Sequence, residues 1–153
     1  MKDEAERKAD SEAVEVGARR CRDAGGVSGD DIHERGMKVR REVLGDAHVD
    51  RAVEGTTEFT ADFQDLITRY AWGEIWARPG LDRKTRSCIT LAALVSLGRD
   101  HEVAMHVRAA LRNGLTADEI KEVLLHTAVY AGVPAANSAF AIAQQVLAEE
   151  GAA

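Results

Sequence analysis

Three side chains whose types could do chemistry, Arg99, Glu102 and His106, lie within eight residues of one another in the sequence. Glu102 and His106 are four residues apart, a spacing that places both side chains on one face of a helix. A carboxylate beside an imidazole raises the imidazole pKa and fixes its tautomer, which suits a general acid near neutral pH. The same spacing is common in ordinary surface ion pairs, which contribute little to stability. Periodicity alone leaves both interpretations open.

Other side chains could line a binding pocket or simply pack. Trp72 and Trp76 precede a Pro-Gly turn and could form a pocket wall, although aromatic residues usually serve to bury area. Arg86 precedes an apolar helix and could bind a carboxylate through two hydrogen bonds, or only solvate the helix end. His126 and Tyr130 share a helix face and could contact a substrate, or pack with their polar tips satisfied. All of these residues are candidate substrate contacts.

Composition and charge exclude several classes of function. The chain of 153 residues predicts one domain, and its net charge of −6 includes no Lys/Arg run that could follow a phosphate backbone. We therefore expect no nucleic-acid partner. No apolar run approaches the ~20 residues of a membrane span, and the N-terminal residues lack an apolar signal-peptide core. Cys21 and Cys88 lie far apart and form no metal motif, which predicts reduced thiols in a cytoplasmic protein.

The pattern beyond the N-terminus predicts an all-α domain. Residues 1–30 are highly charged, lack aromatic residues and contain a glycine-rich run near their end, which predicts a flexible N-terminal arm. Residues 31–153 are predicted to form the folded domain, because apolar residues recur there at helical spacing. We expect at least six helices between residues 31 and 150 and no sheet.

Capping residues divide this domain into helices. Asp31 is predicted to cap the first helix, which ends at Gly45, and Thr116 to form a capping box with Glu119. Thr57, Asp82 and Asp100 are predicted to cap three further helices. A short helix is predicted to begin at His48, and Pro134 is predicted to occupy the first position of the last helix.

Five runs of sequence, taken in order, resemble one known family. They are Tyr70–Asp82 (YAWGEIWARPGLD), Arg86–Leu91 (RSCITL), Met105–Thr116 (MHVRAALRNGLT), Glu119–Val123 (EIKEV) and Tyr130–Pro134 (YAGVP). Together they are similar to the γ-carboxymuconolactone decarboxylase family over about residues 31–148. The resemblance implies an all-α fold of the alkyl-hydroperoxidase D-like class, a homo-oligomer that is commonly a hexamer, and no cofactor.

The wider superfamily includes peroxidatic members with a Cys-x-x-Cys-x-x-x-His motif. When His106 is placed on the histidine of that motif, Arg99 and Glu102 fall on the two cysteine positions. Dithiol chemistry is therefore excluded for this chain, and Cys88 falls on neither position. Cys88 also stands where the family is expected to have leucine, and the N-terminal arm is longer than the family pattern implies.

The resemblance implies decarboxylation of 4-carboxymuconolactone to 3-oxoadipate enol-lactone, a step in the protocatechuate branch of the β-ketoadipate pathway. This substrate is a dianion whose ring double bond and lactone carbonyl can accept the electrons that CO2 leaves behind. The protein must bind two carboxylates, stabilise an oxyanion and deliver a proton. We assign the carboxylates to Arg86 and Arg99, and the proton to His106 oriented by Glu102. An apolar wall formed by the two tryptophans would favour release of neutral CO2.

Other functions stay open at this point. A related chain that acts on another lactone, or a non-catalytic oligomer, could have the same motifs, because a shared fold does not fix the substrate. A redox member would need a proximal cysteine pair, which the sequence around His106 lacks. If His106 is not the proton donor, His126 or Tyr130 on a facing helix is the alternative.

Overall fold

The computed structural model describes residues 28–152, which contain helices and no strand, so the predicted all-α class is confirmed for this range. Residues 1–27 of the predicted flexible arm, with Cys21, lie outside the described residues. No helix in residues 28–152 has both the length and the apolar character that crossing a bilayer requires. The elements are α1 (Gly29–Leu44), α2 (Asp46–Glu54), α3 (Glu58–Ile67), a π-helix (Thr68–Trp76), α4 (Arg83–Ser96), α5 (Asp100–Arg112), α6 (Ala117–Ala131) and α7 (Val133–Glu149).

Local capping chemistry sets several helix starts as predicted. The Asp82 carboxylate accepts a hydrogen bond from the Thr85 backbone N–H at 2.6 Å and caps α4. Thr116 and Glu119 form the predicted reciprocal box at the start of α6, with hydrogen bonds of 2.9 and 3.2 Å. The single cap and the capping box both satisfy backbone N–H groups that the first helical turn leaves without partners.

Two predicted capping residues, Asp31 and Asp100, and one predicted helix start, His48, were wrong by one to three residues. Ser28 caps α1: its hydroxyl accepts from the Asp31 backbone N–H at 3.1 Å, while the Asp31 carboxylate accepts from the Ser28 N–H at 3.0 Å. Asp31 is therefore the partner of the cap and lies inside the helix. The cap position of α5 is Arg99, which makes no side-chain cap hydrogen bond. The second helix, α2, begins at Asp46, before the predicted start at His48.

The predicted α-helical spacing ends at Thr68, where the chain continues as a π-helix through Trp76. This wider turn accompanies close packing against α1. A Cβ atom added at Gly36 would lie 2.1 Å from the carbonyl oxygen of Thr68, and one added at Gly73 would lie 2.5 Å from the carbonyl oxygen of Ile32. The two helices thus contact each other backbone to backbone, which only glycine permits.

The core consists of two clusters of buried apolar residues that meet at α5. The first cluster joins α4, α5, α6 and α7, and the second joins α1, α2, the π-helix and α5. Val107 and Ala110 of α5 pack in the first cluster, whereas Ala109 packs in the second. The fifth helix therefore lies between the two clusters, and it is the helix that carries His106.

Candidate active site

His106 is half-buried on α5. Its pKa is lowered to about 4, mainly by burial and then by the charge of His48, while the charge of Glu102 acts in the opposite direction. The imidazole is therefore neutral in the free protein at neutral pH. Because the charge of His48 reaches His106, the structure brings these two histidines from separate helices into one electrostatic neighbourhood.

The predicted pairing of Glu102 with His106 is not formed. Glu102 is exposed, and within residues 28–152 no hydrogen bond or ion pair joins it to His106. The charge of Glu102 raises the pKa of His106, as predicted, but burial lowers this pKa by more. The prediction that Glu102 keeps the imidazole protonated near neutral pH is therefore wrong for the free protein.

Removing the Glu102 charge should have a small effect. We expect Glu102→Gln to change kcat by less than about threefold, because an exposed charge acts weakly on a group that it does not contact. The pKa of His106 should fall slightly, since the opposing charge is lost. Steady-state kinetics and an NMR titration of the imidazole measure both effects, with Asp100→Asn as a control at an exposed position in the same turn. A loss of kcat of tenfold or more would restore Glu102 as the residue that orients His106.

The two arginines assigned to the substrate carboxylates lie at helix starts. Arg99 is exposed at the start of α5. Arg86 is half-buried in the first turn of α4, where its Nη2 donates to the carbonyl oxygen of Arg78 at 3.0 Å. Its Nε is buried and has no hydrogen-bond partner among the described residues. Neither arginine lines the pockets described below, and their contacts with substrate stay predictions.

The two tryptophans contact each other, with ring centroids 5.3 Å apart. Trp72 is buried in the second core cluster, and Trp76 packs against that cluster from its edge. Trp76 also lines a surface pocket of about 550 Å³ together with Arg35 and Lys38 of α1. Trp72 therefore has the core role that the sequence left open, while Trp76 lines a surface pocket that does not include His106.

His126 and Tyr130 form a pair on α6, with ring centroids 5.1 Å apart. Both side chains are exposed, and Tyr130 retains 78% of its accessible surface. They are therefore not packed into the core. They lie on the surface beside the equally exposed Val129, so any contact with substrate would need a further surface to enclose it.

The structure also forms a pocket that the sequence did not single out. It measures about 500 Å³ and lies between the α1–α2 turn and α5. The pocket combines segments that are far apart in sequence, so the sole local signal was the spacing of His48 and Arg51 by one turn of α2. Its basic lining residues are Arg41, His48, Arg51, Arg108 and Arg112. We call it the basic pocket.

Positive charge dominates the basic pocket. The pKa of His48 is lowered, first by burial and then by the charges of Arg51, Arg40 and Arg112. His48 is thus also disposed to be neutral at neutral pH, and only its protonated form acts on the pKa of His106. The pocket can hold an anion beside a neutral imidazole, which is the arrangement that acid–base work on a carboxylated substrate requires.

Comparison with known sequences shows the family to which this helical chain belongs. The sequence model of the carboxymuconolactone decarboxylase family matches residues 61–145, which run from α3 into α7 and include His106. The chain belongs to this family, so the family predicted from the sequence motifs is confirmed. The α1–α2 side of the basic pocket precedes the matched residues.

Individual relatives extend the likeness to most of the chain. The 4-carboxymuconolactone decarboxylase of Acinetobacter baylyi is 50% identical over 121 residues, which is 79% of this chain and 90% of that protein. The nitrosuccinic acid decarboxylase of Metarhizium robertsii is 43% identical over 125 residues, which is 79% of this chain and 87% of that protein. A 4-carboxymuconolactone decarboxylase sequence of Pseudomonas putida is 55% identical over 42 residues, covering 28% of this chain and 88% of that sequence.

Proposed function

We propose that this chain decarboxylates 4-carboxymuconolactone to 3-oxoadipate enol-lactone without a cofactor, in the breakdown of protocatechuate by the β-ketoadipate pathway. The observation that carries the proposal is the 50% identity to a 4-carboxymuconolactone decarboxylase over 90% of that protein's length. The proposed location is the cytoplasm, in keeping with a free thiol at Cys88.

The substrate supplies its own electron acceptor. When the ring carboxylate leaves as CO2, the bonding electrons pass through the ring double bond into the lactone carbonyl and form a dienolate. A proton must then be added to the ring carbon next to that carbonyl. The protein therefore has to bind the carboxylates, stabilise the developing oxyanion and deliver one proton.

We assign the proton to His106. Its imidazole is neutral in the free protein, because burial and His48 lower its pKa to about 4. A dianionic substrate beside the ring favours the protonated form, so substrate binding at neutral pH would be coupled to proton uptake by His106. The imidazolium would then donate this proton to the dienolate carbon. The charge that raises the pKa of His106 is thus the charge of the substrate itself.

A second substrate is favoured by the 43% identity to a nitrosuccinic acid decarboxylase. Nitrosuccinic acid is also a dicarboxylic acid in which an acceptor, here the nitro group, can take up the electrons left by departing CO2. The same two requirements, a site for two carboxylates and a proton donor, apply to both compounds. Substrate preference between them depends on pocket shape more than on a difference in mechanism.

The test is an assay of purified protein with both substrates at equal concentration. Enzymatically generated 4-carboxymuconolactone is followed by the loss of its absorbance, and nitrosuccinic acid by CO2 release. We expect kcat/KM for the lactone in the enzymatic range of about 10⁴–10⁸ M⁻¹s⁻¹, and a lower value for nitrosuccinic acid. A higher kcat/KM for nitrosuccinic acid than for the lactone would make nitrosuccinic acid the preferred substrate. Absence of turnover with both compounds would overturn the proposal.

We also propose that the chain acts as a closed homo-oligomer, of six copies as the family resemblance implies. Its support is that large apolar side chains are exposed together on two helix faces. On α6, Leu125 and Val129 are exposed. A second apolar stripe, whose members recur at helical spacing in the sequence, follows one face of α3 and the π-helix. It contains Phe59, which is 94% exposed, together with Phe63, Leu66 and Tyr70.

Light scattering at micromolar protein should therefore give a mass several times that of the 16.6 kDa chain. Phe59→Asp combined with Phe63→Asp should reduce the mass, because a charge on a buried interface position opposes association. Glu58→Lys, a charge change at an exposed site of the same helix turn, is the control and should leave the mass unchanged. A monomeric mass for the unmodified chain would refute the proposal.

A further inference from the structure

The basic pocket between the α1–α2 turn and α5 contains arginines of two kinds. Arg41 is compensated within the fold, since it pairs with Asp46 at 3.2 Å and with Asp50 at 2.7 Å. Arg108 is likewise paired with two carboxylates at the end of α7. These two guanidinium groups have partners already, so they are poor candidates for binding a ligand's carboxylate.

Arg51 and Arg112 are different. Within residues 28–152, neither forms an ion pair with a carboxylate, although both line the pocket. Arg112 donates to the Val43 carbonyl oxygen at 3.4 Å. It also lies against Gly45, where an added Cβ atom would be 3.0 Å from the guanidinium carbon. The α1–α2 turn thus positions Arg112 while leaving most of its N–H groups free to bind a ligand.

Arg40, a buried arginine that does not line the pocket, adds further positive charge near it. Arg40 is only 5% exposed, and its guanidinium donates to the Gln64 side chain at 3.1 Å and to the Thr68 hydroxyl at 3.2 Å. Both partners are uncharged, and the buried Nε has no partner among the described residues. The charge of Arg40 reaches His48, as do the charges of Arg51 and Arg112. In a chain of net charge −6, this is a local concentration of uncompensated positive charge, which attracts anions.

We propose that Arg51 and Arg112 bind the two carboxylates of the substrate, and that the basic pocket is the substrate-binding part of the active site. A guanidinium binds a carboxylate through two parallel hydrogen bonds, and two such groups match a small dianion. The volume of about 500 Å³ is that of a small-molecule site. The inference rests on the proposed function for the identity of the substrate, and it gives Arg51 and Arg112 the role that the sequence assigned to Arg86 and Arg99.

The test combines kinetics with a binding measurement that does not depend on turnover. Arg51→Gln and Arg112→Gln each remove one guanidinium, whereas Arg51→Lys keeps the charge but loses the two-pronged geometry. Lys121→Gln is the charge-matched control, because Lys121 is an exposed residue of α6 outside the basic pocket. KM is measured with 4-carboxymuconolactone and with nitrosuccinic acid. Succinate, which has two carboxylates, and butyrate, which has one, serve as unreactive probes in a thermal-shift titration.

We expect each Gln variant to raise KM by about tenfold or more, with a smaller change in kcat, because a charged hydrogen bond is lost. Arg51→Lys should lie between the wild type and Arg51→Gln. Succinate should raise the melting temperature of the wild type and of Lys121→Gln, butyrate should do so less, and both Gln variants should lose the response to succinate. If Arg112→Gln is unstable without ligand, the KM and the succinate response of Arg51→Gln still test the proposal, because Arg51 is exposed and its replacement should not affect folding.

The outcomes separate this inference from the proposed function. A succinate response that depends on Arg51 and Arg112, in a protein that turns over neither substrate, would support the dianion site and refute the activity. Turnover with KM and succinate response unchanged in both Gln variants would support the activity and overturn the assignment of these arginines.

Discussion

Replacing His106 by alanine should lower kcat by about 10²–10⁴-fold, the usual contribution of a general acid, with a smaller change in KM. The variant removes the proton donor but leaves the arginines of the basic pocket in place, so binding should largely persist. His101→Ala is the matched control, because His101 is an exposed histidine in the first turns of the same helix. Retention of more than about a third of the wild-type kcat would exclude the general-acid role, and His126 or Tyr130 would become the candidates.

The pH dependence distinguishes this assignment from a general loss of structure. The free protein holds His106 neutral above about pH 4, and we expect a bound dianion to raise the pKa of the imidazole. In the wild type, kcat should therefore fall as the pH rises through this raised pKa, because the complex loses its donor proton. In His106→Ala this fall of kcat with rising pH should be absent. Calorimetry in buffers of different ionisation enthalpy should show proton uptake on substrate binding that His106→Ala abolishes.

Replacing Gly36 by alanine should destabilise the fold by about 3 kcal/mol or more, the upper part of the range for overpacking. The new Cβ atom would lie 2.1 Å from the Thr68 carbonyl oxygen and 2.9 Å from the Gly73 backbone nitrogen. Both neighbours are backbone atoms, so the clash is relieved only if α1 and the π-helix move apart. That movement would also displace Trp72 from the second core cluster.

Gly29→Ala is the control for this experiment. Gly29 begins the same helix, and nothing lies within 4 Å of a Cβ atom added there. An alanine at an unobstructed helical position stabilises by up to about 1 kcal/mol relative to glycine. Thermal unfolding should therefore give shifts of opposite sign for the two variants. A melting temperature for Gly36→Ala equal to or above that of Gly29→Ala would show that the close contact between the helices is absent.

The parts of the fold that were predictable from the sequence depend on neighbouring residues. The caps at Asp82 and at Thr116 with Glu119 involve side chains three residues from their partners, so the pattern alone identified them. The π-helix was not predictable in this way. It accompanies the approach of Gly36 to Thr68, a contact between segments that the sequence gives no means of aligning.

The candidate site shows the same division. His106 was identifiable from its spacing and from the family motifs, but the direction of its pKa shift was not. Spacing reveals the nearby charge of Glu102, whereas burial and the charge of His48, which decide the shift, result from tertiary packing. The basic pocket was missed for the same reason, because Arg51 and Arg112 meet only when α2 packs beside α5.

Because α5 belongs to both core clusters, the two clusters should not unfold independently. Because α5 completes both clusters, cleavage at no point within residues 28–152 is expected to leave two pieces that each have a complete core. Residues 28–152 should then unfold as one cooperative unit. His106 is on the shared helix, while His48 and Arg51 line the basic pocket from α2. The groups of the basic pocket and the proposed proton donor should therefore be lost together, so activity and helical structure should disappear in a single transition.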